Sequence, residues 1–469
     1  MNQIAGKVPF YEKLGYGLGD TASNLIWMFF IFYINYFYTD VFGLKPGDMA
    51  VMFLVIRFYD SLFDPIVGIL ADRTTTRWGK FRPYILWFAV PFGIISWLTL
   101  TTPEWGYHSK LIYAYVAYSF MMLVYSAINI PYSSLMGVIS SNSLERTSIS
   151  GIRFVMAQFG GIIVQLLTLR LVVAYGGGTI ENPTNEVYGF SMVGLTFGIA
   201  AAIMFFVTFL TTKERILPTK DQKPNLKVDL KDLVTNIPWW ILFAIGIFVI
   251  AYVCIRNGAI IYYFKYYSAE KATTLKLFGE DIYYDLASLF MIVGTAVSLA
   301  ANALLGWMSR LIGGKKKMFL IFMGLTALLT AVFFFVPAEA TGTMFILQIL
   351  ISFTSGPTGA IVWAMYADSA DYSEYKNGRR ATGLVFSAAI ASQKIGWTIG
   401  GSLVGFLLAY FNYQANSASP DAIEGIRLLI SYMPAIAAVL ATVAMVFYPL
   451  SDKRMAVIEK ELLERRKLE

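Results

Sequence analysis

Apolar runs near the ~20 residues needed to cross a bilayer recur along the whole chain, separated by short polar turns. About twelve such spans fit, and nearly nothing is left over for a separate soluble domain. The first run, residues 14–38, is too long for the core of a signal peptide and lacks a basic start with a small-residue cleavage site, so it is expected to stay in the mature protein. The second fills residues 50–70, and the third and fourth are expected at 84–101 and 111–136. The longest polar break, residues 213–236, holds six Lys or Arg together with Pro218 and Pro224. It divides the chain into halves of about six helices, as parallel repeats joined by a linker require. The pattern therefore predicts an all-α integral membrane protein with two six-helix bundles, residues 1–212 and 237–450, a linker at 213–236 and a charged tail at 451–469. Leu226, Leu230 and Leu233 have helical spacing, which predicts that part of the linker lies along the membrane surface. The tail is expected to be a soluble helix or disordered.

Composition supports this reading. Of 469 residues, 57% are hydrophobic and 14% charged, with 36 Phe and 29 Tyr, a membrane composition. Cys254 is the only cysteine, which excludes an internal disulfide and a cysteine-based metal cage. His108 is the only histidine and is expected to be a solvated loop residue. The net charge of +7 suggests a polyanionic partner until its distribution is considered. About 26 Lys and Arg fall on the side of both termini and about 5 on the other, which by the positive-inside rule places both termini in the cytoplasm. The excess charge reports orientation, and no nucleic-acid partner is expected.

Polar groups inside the spans carry the candidate chemistry. Arg57, Asp60 and Asp64 are spaced i, i+3 and i+7 and share one helix face. An ionised side chain in a membrane helix is costly unless it is paired or lines a wet cavity, so this face is a functional-site candidate. Two carboxylates one turn apart can share a proton or coordinate a hard cation such as sodium. The plainer alternative is a buried ion pair of Arg57 with one aspartate, which leaves the second carboxylate over. Asp20 and Asn24 form a polar stripe on the first helix. The fourth span carries Tyr125, Ser126, Asn129, Ser133 and Ser134 around Pro131. Arg153 lies about one turn inside the fifth span, where an interfacial structural role competes, and Arg256-Asn257-Gly258 interrupts the seventh. Asp368 and Asp371 share a face near Arg379 and Arg380. Lys394 sits mid-span and needs an anionic partner, for which Asp60 or Asp64 is the candidate. No nucleophile and base pair or metal cluster stands out, so enzymatic chemistry is not expected.

The run Gly68 to Pro83, with Asp72-Arg73 followed by Arg77-Trp78-Gly79-Lys80-Phe81-Arg82-Pro83, resembles the signature loop of the major facilitator superfamily. Together with the upstream Asp60-x-x-x-Asp64-Pro65, it is similar to that of the glycoside-pentoside-hexuronide:cation symporter family. The resemblance covers nearly the whole chain. It implies cation-coupled symport of a sugar or glycoside by alternating access, with Na+ or H+ as coupling ion and no other cofactor. It also implies a monomer in the bacterial inner membrane. By the same resemblance, Ser126 joins Asp60 and Asp64 at the cation site, while Asn24, Tyr125, Asn129, Ser133, Arg153 and Lys394 face the sugar. Asp72, Arg73, Arg146, Asp368 and Asp371 are gating residues. The chain departs from the melibiose-carrying members at Asn24 and Asn129, where those have aspartates, and at Ser133, where they have an aromatic. A pentoside, hexuronide or oligosaccharide is therefore expected rather than melibiose. Alternatives are an uncoupled facilitator, a carrier of a lipid-like substrate or a sugar-sensing membrane protein.

Overall fold

In hydrocarbon a backbone must satisfy its own N–H and C=O groups, so the apolar runs fold as helices. The computed structural model describes residues 8–140, 143–179, 183–215, 234–277, 280–377, 382–417 and 419–468. Its first half supplies α1 (Phe10–Phe32), α2 (Pro46–Arg73), α3 (Arg82–Thr99), α4 (Tyr107–Ile139), α5 (Ser143–Gly176) and α6 (Glu186–Thr211). Its second half supplies α7 (Ile237–Tyr266), α8 (Leu286–Ala303), α9 (Lys315–Val332), α10 (Thr341–Asn377) and α11 (Thr382–Tyr410). The twelfth span, α12, consists of Pro420–Ile430 and Tyr432–Val446, and α13 follows at Asp452–Leu468.

Among the described residues, eight helices are long and apolar enough to cross a membrane, and α1 with its continuation to Val41, bent by 62°, makes a ninth span. With α2, α3 and α11, which run for 28, 18 and 29 residues, the set comes to twelve. Pro131 does not end the fourth helix, which continues to Ile139.

The chain packs as two units, Met1–Asp221 with Lys271–Leu289, and Gln222–Glu270 with Phe290–Glu469. In the first, α1 packs on α5 and α6, and α3 on α4 and α6; in the second, α7 packs on α11 and α12, and α9 on α10 and α12. Each pairing recurs six helices later, so the two halves are structural repeats. Small residues set some of these approaches. Gly93 on α3 and Gly198 on α6 face each other so closely that a Cβ on either would lie 2.8 or 2.5 Å from the other's carbonyl oxygen.

Three features differ from the sequence reading or were not foreseen. Between α7 and α8 the chain forms an antiparallel hairpin, β1 (Ala272–Leu277) with β2 (Glu280–Asp285), and this strap belongs to the first unit. The tail, read as a soluble helix or disordered, is the docked helix α13, whose Met455, Ile458 and Leu462 enter the core of the second unit. Spacing of i, i+3 and i+7 puts those three on one face, and that face finds a partner in α10. His108, expected in a loop, lies in the first turn of α4 and is exposed. Leu226, Leu230 and Leu233 of the linker lie outside the described residues.

Candidate functional site

The helix α2 carries its charges on a face turned toward α4, against which it packs. There Ser126 Oγ lies 3.0 Å from Asp60 Oδ1 and 2.8 Å from Asp64 Oδ1. Asp60 is buried and Asp64 half-buried. A hydroxyl has one proton and donates to one acceptor at a time, so Ser126 satisfies only one of the two carboxylates in any instant. Three oxygen donors from adjacent turns of two helices match the ligand type that hard cations take. Arg57, the alternative partner, places its guanidinium 4.8 Å from the Trp27 ring on α1. Trp27 in turn lies 5.1 Å from the ring of Tyr125. The arginine thus connects the acidic face of α2 to an aromatic pair between α1 and α4.

One turn and more along α1, Asp20 meets Arg153 of α5, with Nε donating to Oδ2 at 2.9 Å. The Arg153 guanidinium also lies 5.3 Å from the Tyr132 ring. Tyr132 and Tyr16 stack at 4.7 Å, and each hydroxyl donates to the other's backbone carbonyl, at 2.7 and 3.2 Å. Gly19 makes room for the Tyr132 ring, which a Cβ there would meet at 2.5 Å. Asn24 Nδ2 donates to the Asp20 carbonyl at 2.8 Å, and Asn129 accepts from Ser23 Oγ at 2.7 Å while its Nδ2 donates to the Tyr125 carbonyl at 3.1 Å. Ser133 is exposed. The first unit therefore brings Asp60, Asp64 and Ser126 together, and builds a second polar group from Asp20, Ser23, Asn24, Asn129 and Arg153. Lys394, half-buried on α11, belongs to the second unit.

The gating candidates distribute differently. Arg73 is exposed, while the side chains of Asp72 and Arg146 and all of Arg379 and Arg380 lie outside what is described. Asp368 is buried and pairs with Lys315, at the start of α9. Asp371 is half-buried on the same helix. The signature loop after α2 is held by an acid that the sequence reading did not single out. Glu214, just beyond α6, accepts from the backbone N–H groups of Lys80, Phe81 and Arg82 at 2.9, 2.8 and 2.9 Å. Gly79 has φ +110°, and a Cβ there would collide with that carboxylate. The loop is a nest of amides at the N-terminus of α3, occupied by a side chain of the same unit. Beside it, Arg82 donates to the Phe209 carbonyl at 2.6 Å, and Arg215 pairs with Glu12 through two bonds of 2.7 Å. Those bonds to Glu12 hold the Arg215 guanidinium above its ordinary pKa.

In the second unit the corresponding turn is Gly313-Gly314, at φ +91° and +114°, before α9. Asp452, just beyond α12, occupies the space a Cβ on Gly314 would need. An acid from after the twelfth helix thus lies against the second turn, as Glu214, from after the sixth, lies against the first.

Twelve helices in two repeats, with charged face, signature loop and polar inner spans so placed, are the architecture of a major facilitator. The family described as "MFS/sugar transport protein" matches residues 15–452, and the chain belongs to it. It is 35% identical to the inner membrane symporter YicJ of Escherichia coli, over 97% of this chain and 95% of that one. It is 34% identical to the isoprimeverose transporter of Lactiplantibacillus pentosus, over 97% and 92%. Against the glucuronide carrier protein homolog of Escherichia coli the identity is 31%, over 100% and 98%. Among solved structures, a bacterial homologue of the peptide transporters PepT1 and PepT2 superimposes with a TM-score of 0.65 at 12% identity, over 94% of this chain and 98% of that one. The nucleoside transporter NupG gives 0.60 at 14%, over 94% and 100%. The protein is a multi-pass membrane transporter of the major facilitator fold.

Proposed function

We propose that the protein is a secondary active transporter that takes a sugar or glycoside into the cell together with Na+ or H+. The observation that carries this reading is the single Ser126 hydroxyl lying within hydrogen-bond reach of both Asp60 and Asp64. With the coupling ion bound, the repulsion between the carboxylates is relieved and α2 can hold the geometry in which α1 and α4 present their polar groups. By reciprocity, the sugar then tightens the ion by the same factor that the ion tightens the sugar.

The sugar-facing residues in this reading are Asn24, Tyr125, Asn129, Ser133, Arg153 and Lys394. Amides and hydroxyls pair with sugar hydroxyls in both senses, and Trp27 with Tyr125 offers aromatic faces to the apolar side of a ring. Asp20 adds an acceptor and takes up part of the Arg153 charge. Relatives named for isoprimeverose and for a glucuronide support a pentoside-containing or uronic glycoside as the substrate class. Residence in the bacterial inner membrane, cytoplasmic termini and action as a monomer belong to the same proposal. Asp72, Arg73, Arg146, Asp368 and Asp371 are its gating residues, with the Asp368 pair to Lys315 supporting such a role on the second unit.

The test is tryptophan fluorescence of the purified protein titrated with neutral and anionic glycosides, with and without sodium, at two pH values. A sugar whose binding is tightened by one cation in the parent, and not in Asp60→Asn, establishes coupling through this face. Binding insensitive to both sodium and pH would return the protein to the class of facilitators.

A further inference from the structure

The strap Lys271–Leu289 enters the first unit through one buried carboxylate. Asp285, the last residue of β2, is only 3% exposed. Its Oδ1 accepts from the Ser288 backbone N–H at 2.6 Å, as a capping carboxylate does at the start of α8. Its Oδ2 is buried with no hydrogen-bond partner among the described residues. Two further orphaned atoms accompany it, Ser288 Oγ and the Tyr33 hydroxyl at the end of α1, and Thr168 of α5 lies beside that hydroxyl. The titratable and charged groups facing Asp285 are Tyr33 from α1, Arg170 from α5 and Tyr284 from the strap itself. Arg170 directs Nη1 to the Tyr284 hydroxyl at 3.3 Å and stacks its guanidinium 4.1 Å from that ring.

An ionised carboxylate with one oxygen buried and undonated is unstable there, whereas the protonated acid turns that oxygen into a donor. The nearby Tyr33 and Ser288 hydroxyls can donate or accept and so favour neither form, which leaves burial of the carboxylate as the term that favours the proton. We propose that Asp285 is a proton-binding latch, separate from the Asp60 and Asp64 face, which seats the strap in the first unit as the neutral acid and releases it when ionised. Burial raises the Asp285 carboxyl above its ordinary value, and hydrogen bonds from Ser288 and, to a lesser extent, the Arg170 charge oppose that shift. Because the seated form binds the proton more tightly, the contribution to seating is complete below the ordinary carboxyl pKa and is lost as pH rises through the raised one. Acid on the strap's side of the membrane holds it down, and alkali frees it.

Hydrogen exchange of the strap amides in the full-length protein in lipid nanodiscs, between about pH 5 and pH 8 and corrected for intrinsic chemistry, reads this directly. A one-proton latch makes the opening equilibrium rise by up to about tenfold per pH unit between the ordinary and the raised carboxyl pKa and level off above the raised one, whose pH is the midpoint read here. Asp285→Asn, which cannot ionise, should flatten the profile, and Arg170→Gln should move the midpoint to higher pH. An unchanged profile in Asp285→Asn overturns the proposal. So does suppression of opening by sodium at constant pH in the parent but not in Asp285→Asn, because the orphaned oxygens would then hold a monovalent cation. Should Asp285→Asn not assemble, the Arg170→Gln midpoint decides alone, and one that stays in place overturns the latch.

Discussion

Arg153 of α5 donates to Asp20 of α1 across 2.9 Å, and the two side chains are about a quarter and a tenth exposed. An arginine held inside a membrane bundle by one carboxylate leaves that carboxylate stranded when it is removed. Arg153→Gln or Asp20→Asn alone should therefore lower stability by about 1–3 kcal/mol, a range discounted for the exposure of the arginine. The double substitution should recover part of the loss. A double-mutant cycle on thermal unfolding in detergent checks this, and additive losses would show the pair to be energetically idle.

At the cation face the substitutions separate by kind. Asp60→Asn and Asp64→Asn remove a charged oxygen and should abolish cation-driven accumulation. Ser126→Ala removes one uncharged oxygen and its hydrogen bond and should weaken the apparent cation affinity by about tenfold while leaving coupling in place. Sugar accumulation in vesicles as a function of cation concentration distinguishes the outcomes. Intact accumulation in Asp60→Asn would disprove the assignment.

The Glu214 carboxylate closes three amides that otherwise have no acceptor at the start of α3. Glu214→Ala should cost about 1–2 kcal/mol, comparable to the loss of a helix cap. Gly79→Ala should be worse than its size suggests, since it adds strain at φ +110° and a collision with the same carboxylate. Melting temperatures of the two variants and the parent give the order.

Docking of α13 rests on Met455, Ile458 and Leu462. Ile458→Ala should weaken docking by about 2–4 kcal/mol, and Ile458→Asp should release the helix. Tryptic cleavage after Lys453 and Arg454 reads it. A release variant that is cut no faster than the parent would mean the tail is held by something other than this face.

Spacing alone revealed what lies on one helix. Asp60 and Asp64 were legible because one turn separates them, and Ser126 because it sits in a motif the family resemblance could match. The Asp20 partner of Arg153 was not, since the two are 133 positions apart and several acids could have served. Glu214 was hidden for the same reason. Its signal was a lone acid at the start of a basic linker, opposite a loop whose glycine demands left-handed backbone. The hairpin did leave a local trace. Residues 272–277 and 280–285 are rich in Thr, Leu, Ile and Tyr around Gly279, a strand pattern that is easily passed over between two long apolar spans. The docked tail shows the converse failure, because a strongly charged helix hides three apolar residues that repeat on one face. Span number, by contrast, follows from bilayer thickness and needs no knowledge of partners.

The turns at Gly79 and Gly314 bear on the order in which the molecule is made. Glu214 follows α6 by three residues, so the first unit has the clasp for its own signature loop as soon as its sixth helix has left the ribosome. Asp452 is synthesised at the corresponding moment for the second. The first half can thus fasten its signature loop without waiting for the other. The strap is the exception: it belongs to the first unit yet is translated after α7, so that unit receives its final piece only once the second half is under way.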